Sequence, residues 1–115
     1  MAVVEQYARA HLLTDEADDD RAVPVRLRYD PEADPRSVRI GLPGLPEWTC
    51  SRSLLEQGLR APVGSGGVRV WPLGRVQAVV EFHSAQHVSV VQFDRKTLLR
   101  FLRRTYTATA EPVRG

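Results

Sequence analysis

Apolar and polar positions alternate most cleanly in Val23-Pro24-Val25-Arg26-Leu27-Arg28-Tyr29. Val23, Val25, Leu27 and Tyr29 share one parity, and Arg26 and Arg28 take the other. Side chains along a strand point to opposite faces in turn, so this reads as a strand with one buried face. Pro24 has no N–H to donate and belongs near an edge or at the strand start. Asp30-Pro31-Glu32-Ala33-Asp34-Pro35 reads as a turn, because each proline fixes its own φ and biases the Asp before it away from helix. Ser37 to Leu42 is the return strand of a hairpin. Upstream, Val3 to Leu13 reads as a strand more than a helix, with Val4, Ala8, Ala10 and Leu12 on one parity, although the alternation is imperfect and its alanines also suit a helix.

Pro43-Gly44-Leu45-Pro46 interrupts the chain, and Glu47 to Cys50 resumes as a short strand. Ser51 to Gly58 has the marks of a short helix, with Ser51 or Ser53 to cap its start and Gly58 to suit a left-handed end. Pro62 to Gly67 reads as a flexible turn. It lacks the lysine and the following helix that a phosphate loop needs. Val68 to Pro72, Gln77 to Phe82 and Val88 to Phe93 are further strands, the last two forming a second hairpin through His83 to His87. Val79-Val80 and Val90-Val91 put apolar groups on both faces, which predicts central strands between two covering layers. Asp94 is placed to cap a longer helix whose apolar stripe is Leu98, Leu99, Phe101, Leu102 and Tyr106, with Arg100, Arg103 and Arg104 toward its polar side. Strands in hairpins with helices at intervals make an α+β antiparallel arrangement. The domain is expected to span residues 1–108, with a tail over 109–115.

At 115 residues, 43% hydrophobic and 26% charged, the chain is a single globular domain with enough mass for one core. No run approaches the ~20 apolar residues of a membrane span, and the amino-terminal segment lacks the pattern of a secretory signal. One cysteine, Cys50, permits no internal disulfide and fits a reducing cytoplasm. Of the 16 basic residues 15 are Arg, a skew that reflects a GC-rich coding sequence more than a mechanism. Charge is unevenly placed: residues 1–34 carry −5 and residues 35–115 carry +7. Five acids fall within Asp15 to Asp20, which reads as a solvated loop; it lacks the alternating ligands and pivot glycine of a calcium loop.

Catalytic chemistry is poorly supported. Cys50 in a presumed strand reads as a small buried hydrophobe. His83 and His87 are four apart across a turn, and His11 is the only other histidine, so no metal or other cofactor is expected. Nucleic-acid binding is arguable: Trp48, Trp71, Tyr29 and Tyr106 could stack bases while Arg69, Arg75, Arg100, Arg103 and Arg104 hold phosphates. Those aromatics lie in apolar runs where core packing is the default. A protein-interaction module is the competing reading, since prolines on strands and apolar surfaces suit self-association or docking.

Specific strings narrow the field. Leu27-Arg28-Tyr29-Asp30 with Asp34-Pro35-Arg36-Ser37-Val38, then Glu47-Trp48, then Arg52 through Leu59, then Gly66-Gly67-Val68-Arg69-Val70-Trp71-Pro72, and finally Leu98 through Thr105 resemble the SsgA-like proteins of actinobacteria in order and spacing. The resemblance covers residues 20–112. It implies a twisted antiparallel sheet or partly open barrel, Whirly-like, with a short helix and a longer C-terminal helix, assembled as a homotrimer. It implies a non-catalytic adaptor in the cytoplasm at the division septum, controlling septum-site positioning and spore-wall morphogenesis. Its expected partners are the tubulin-like division GTPase or another SsgA-like protein. The family supplies no catalytic residues. Trp71, Arg100, Arg103 and Arg104 are the candidate contacts with partners or with other copies. A single-stranded nucleic-acid-binding module with a basic sheet or helix surface is the alternative.

Overall fold

The structure, a computed structural model, describes residues 3–13 and 21–110. The acidic run at 15–20 lies outside them. Eight strands form one antiparallel sheet: β1 Val4–Leu13, β2 Arg21–Tyr29, β3 Ser37–Gly41, β4 Trp48–Ser51, β5 Val63–Ser65, β6 Val68–Leu73, β7 Gln77–His83 and β8 Val88–Asp94. Helix α1, Arg52–Gly58, joins β4 to β5, and α2, Arg95–Ala110, follows β8. The spatial order is β4-β3-β2-β1-β8-β7-β6-β5, so each half is a meander and β1 is the seam between them. The sheet curls into a half-barrel. Trp48 on edge strand β4 stacks on Phe82 of β7, with ring centroids 4.9 Å apart, and α1 packs against β4, β5 and β6 across the remaining gap.

Alternation sets which face is buried. Val25, Leu27 and Tyr29 of β2 point inward with Val38 and Ile40 of β3 and Val70, Val80, Val91 and Phe93 of the later strands. Leu54 and Leu55 of α1 and Leu98, Phe101 and Leu102 of α2 complete this core. The β2–β3 ladder covers only Arg26 to Arg28, so Pro24 sits near the strand start beyond it, as expected. The turn between these strands is built by its aspartates. Asp30 Oδ1 accepts from the N–H groups of Glu32 and Ala33 at 3.0 and 3.3 Å, and Asp34 Oδ1 from that of Arg36 at 3.2 Å.

Four expectations need correction. Residues 62–67 are not all turn: Val63 to Ser65 pair with β6, and only Gly66 and Gly67, at φ +60° and +82°, make the reversal. Gly58 does not adopt a left-handed end. It is the last helical residue, buried, and a Cβ there would lie 2.2 Å from Val70 Cγ1, so the glycine exists for close approach of α1 to β6. The cap at the other end of α1 is Ser51, which accepts from the Leu54 N–H at 3.2 Å. Strands β7 and β8 are central, yet both helices lie on the core face and neither covers the opposite one. Finally, α2 continues through Ala110, beyond the stripe that ends at Tyr106. Among the described residues no helix is long and apolar enough to cross a membrane.

Candidate interaction surfaces

The face of the sheet turned away from the core carries Trp71. In β6, Val68 and Val70 are buried while Arg69 and Trp71 point the other way. Register then builds a row across four strands: Trp71 opposite Val79, Val79 opposite Gln92, Gln92 opposite His11. The next row runs Arg69, Glu81, Val90, Leu13. Trp71 is half-buried and lies outside the core, with the Arg69 guanidinium 5.8 Å from its ring centroid. Val79 is only 2% exposed although it too lies outside the core cluster, so its cover comes from neighbours on the open face. Leu73 at 41% and Val88 at 54% extend the apolar ground at either end. His83 Nε2 lies 2.6 Å from Glu81 Oε1, a polar border on the same face.

Arg100, Arg103 and Arg104 are exposed on α2, on the opposite side of the molecule, where they line a hollow with Val3 and Val4. Arg104 is committed to the fold: its Nη1 donates to the Glu5 carbonyl at 3.3 Å and to Gln6 Oε1 at 3.1 Å. Gln6 in turn donates to the Thr97 carbonyl at 3.3 Å, which ties β1 to α2. The structure therefore keeps Trp71 and the arginine trio apart as two surfaces.

The first half of the sheet presents a different open face. Arg26, Arg28 and Arg39 project from it, and carboxylates answer each one. Glu47 lies 2.9 Å from Arg26 and 3.8 Å from Arg39, and Glu5 lies 3.8 Å from Arg28. The hydrogen bond and charge of Glu47 raise the Arg26 pKa.

One residue was missed as a site candidate. The Arg52 guanidinium sits 4.0 Å from the Tyr106 ring centroid and 5.1 Å from that of Tyr29. It donates to the Tyr29 hydroxyl at 3.1 Å and to the Thr105 carbonyl at 3.4 Å. The buried Tyr29 hydroxyl donates to the Pro35 carbonyl at 2.9 Å. Arg52 thus joins α1, β2 and α2. In the sequence it looks like an ordinary polar residue in a helix's first turn, and only the tertiary fold brings the two tyrosines to it. The Glu56 carboxylate beside Tyr106 raises the phenol pKa.

Reactive chemistry finds little footing here. Burial pushes the Cys50 thiol up to about 12, so it stays protonated and a poor nucleophile near neutral pH. Among the described residues no group of three His, Cys, Asp or Glu side chains is placed to hold a metal.

Residues 23–112 match the family described as Streptomyces sporulation and cell division protein, SsgA. The chain is 38% identical over 94 residues to the sporulation-specific cell division protein SsgB of Frankia casuarinae, covering 75% of this chain and 64% of that protein. It is 38% identical over 105 residues to SsgB of Salinispora tropica, covering 82% and 73%. A solved structure described with mutations in SsgB that correlate to longitudinal cell division during sporulation of Streptomyces coelicolor superposes with a TM-score of 0.79. It is 31% identical, over 92% of this chain and 86% of that one. The crystal structure of an SsgA-like sporulation-specific cell division protein from Thermobifida fusca gives a TM-score of 0.75 at 26% identity, over 95% and 84%. The half-barrel is thus shared with these proteins, and the match over residues 23–112 establishes that the chain belongs to the SsgA family of sporulation and cell division proteins.

Proposed function

We propose that the protein is a non-catalytic adaptor of sporulation-specific cell division, acting at the septum through contacts with other copies of itself and with division proteins. The observation that carries this is the uncovered face of β6, β7 and β8. Trp71, Leu73 and Val88 give it apolar surface that no element of the chain covers. Apolar ground rimmed by charge is the usual mark of a protein contact. We assign this face to self-association into a trimer, and the hollow beside Arg100 and Arg103 to a division protein such as the tubulin-like GTPase or another SsgA-like protein. The names of the relatives support the cellular setting.

The nucleic-acid reading receives less support. Arg26, Arg28 and Arg39, on the same sheet face as Tyr7, are answered by Glu5 and Glu47, which leaves Arg9 as the arginine of that face in β1–β3 without an ion pair among the described residues and no continuous cationic track.

Light scattering on the purified chain tests self-association: we expect about three times the 12.9 kDa of one chain, falling to one for Trp71→Glu. A fluorescent fusion in a sporulating host should mark septa, and deletion should impair septation. A strict monomer together with normal septation in the deletion strain would sink the proposal.

A further inference from the structure

Two adjoining hollows that share Arg95 and Leu99 line one flank of α2 as a groove, one against the turn joining β6 to β7 and the other against α1. Its apolar lining comes from Leu59, Leu99 and Leu102, with Val76 projecting at one end. Val76 is 67% exposed, and it is held there. The Arg95 backbone N–H donates to the Val76 carbonyl at 2.8 Å, which pins the turn, with Gly74 at φ +65°, to the start of the helix. Five cations stand along the rim: Arg75, Arg95 and Lys96 at one end, Arg60 and Arg103 at the other. None of the five forms an ion pair with a carboxylate among the described residues. Of the two acids along the groove, Glu56 is engaged beside Tyr106, and Asp94 stands alone among cations.

The placement also breaks a local rule. Arg95 and Lys96 occupy the first turn of α2, which contains no acid. The positive end of the helix dipole disfavours cations there. Sequences that set aside local stability in this way tend to do so where recognition is needed.

We infer that this groove docks an acidic, amphipathic segment of a partner protein, with apolar side chains on Val76 and Leu99 and carboxylates against the five rim cations. The inference rests on the adaptor reading and narrows the chemistry of the partner. Opposite charge around an apolar strip favours such a segment over either an uncharged helix or a bare polyanion. A nucleic-acid strand would use the cations and waste the apolar lining. It would also need open aromatic faces for its bases, and Tyr106, the ring along this groove, has the Arg52 guanidinium on a face at 4.0 Å.

The probe is a fluorescein-labelled peptide of about 18 residues made of Leu and Glu, with Leu at i, i+3, i+4 and i+7. It is titrated with the full chain and read by anisotropy. Three comparison ligands are used: the same composition shuffled to destroy the stripe, the version with Gln for Glu, and an oligo-dT. We expect saturable binding of the striped acidic peptide, weakened by salt, and binding at least about tenfold weaker for the shuffled and Gln peptides. Reversal of Arg95→Glu with Lys96→Glu should weaken binding by about tenfold or more, and Leu99→Ser similarly, while Arg9→Glu on the far open face leaves it unchanged. Circular dichroism and Tm confirm that each variant is folded. Because Lys96 is exposed, the charge reversals give an answer even if Leu99→Ser does not fold. Equal binding of the shuffled peptide, tighter binding of oligo-dT, or folded reversal variants that bind as the parent does would each overturn the inference. The adaptor reading fails on a separate outcome, normal septation in the deletion strain, which the titration does not touch.

Discussion

Strands β6, β7 and β8 have two faces made from similar residues with different fates. On the inner face Val70, Val80, Val91 and Phe93 are at most 1% exposed and pack under both helices. On the outer face Trp71, Val88 and Val90 are as apolar, yet no helix of the chain packs over them. Sequence hydrophobicity alone does not separate the two sets; parity does. What differs is the partner. The inner residues meet helices of their own chain, so their chemistry sets stability. The outer residues await another polypeptide, so theirs should set assembly.

Substitutions on the two faces should therefore part company. The largest loss is expected from Phe93→Ala on the inner face, about 3–5 kcal/mol in urea unfolding. Gly58→Ala comes next. Its new Cβ would fall 2.2 Å from Val70 Cγ1 and 3.1 Å from the Val70 backbone carbon. About 1–3 kcal/mol should be lost through overpacking, and adding Val70→Ala should recover part of it in a double-mutant cycle. The comparison weakens if Gly58→Ala leaves the unfolding midpoint where it was.

The inner face can also be probed by pH. The Cys50 thiol sits at about 12 in the folded chain, against roughly 8.5 when unfolded. The native state holds this proton more tightly. Stability from this group is therefore complete below about pH 8.5 and falls as pH rises toward 12. Cys50→Ala should flatten the unfolding free energy across that window, and alkylation of the wild-type thiol should track unfolding. Prompt alkylation of folded protein at neutral pH would mean that the inner face is open to solvent.

On the outer face, Trp71→Ala should cost about 1 kcal/mol or less within one chain while lowering the molar mass in solution. A large loss of monomer stability with an unchanged mass would reverse the roles given to the two faces. The smallest effect is expected at Ser89, which is buried on the inner side with no hydrogen-bond partner for its Oγ among the described residues. Ser89→Ala removes an unsatisfied group, so the midpoint should hold or rise slightly.

Much of this was legible from residue order. The alternation of Val23 to Tyr29 gave both the strand and its buried face, and the aspartates of 30–35 built the turn that their chemistry suggests. Other features depend on contacts that no local pattern carries. Val63-Gly64-Ser65 has no alternation to show, and becomes a strand because β6 lies beside it. Gly58 fits two explanations in sequence, a left-handed cap or close packing, and only the distance to Val70 chooses between them. The parity of Val68-Arg69-Val70-Trp71 already grouped Trp71 with an arginine, although a tryptophan in an apolar run is first read as core. The groove along α2 was hidden for another reason: Val76, Leu59 and Leu99 come from three separate segments.

The position of β1 bears on how this chain is made. Its first strand pairs on one side with β2, which follows at once, and on the other with β8, where Leu12 meets Val91. As the polypeptide leaves the ribosome, β1 and β2 can zip together early, but the free side of β1 must wait until β8 has emerged. For that interval the first meander carries an open hydrogen-bonding edge along β1, and β8, at the edge of the second meander, closes it.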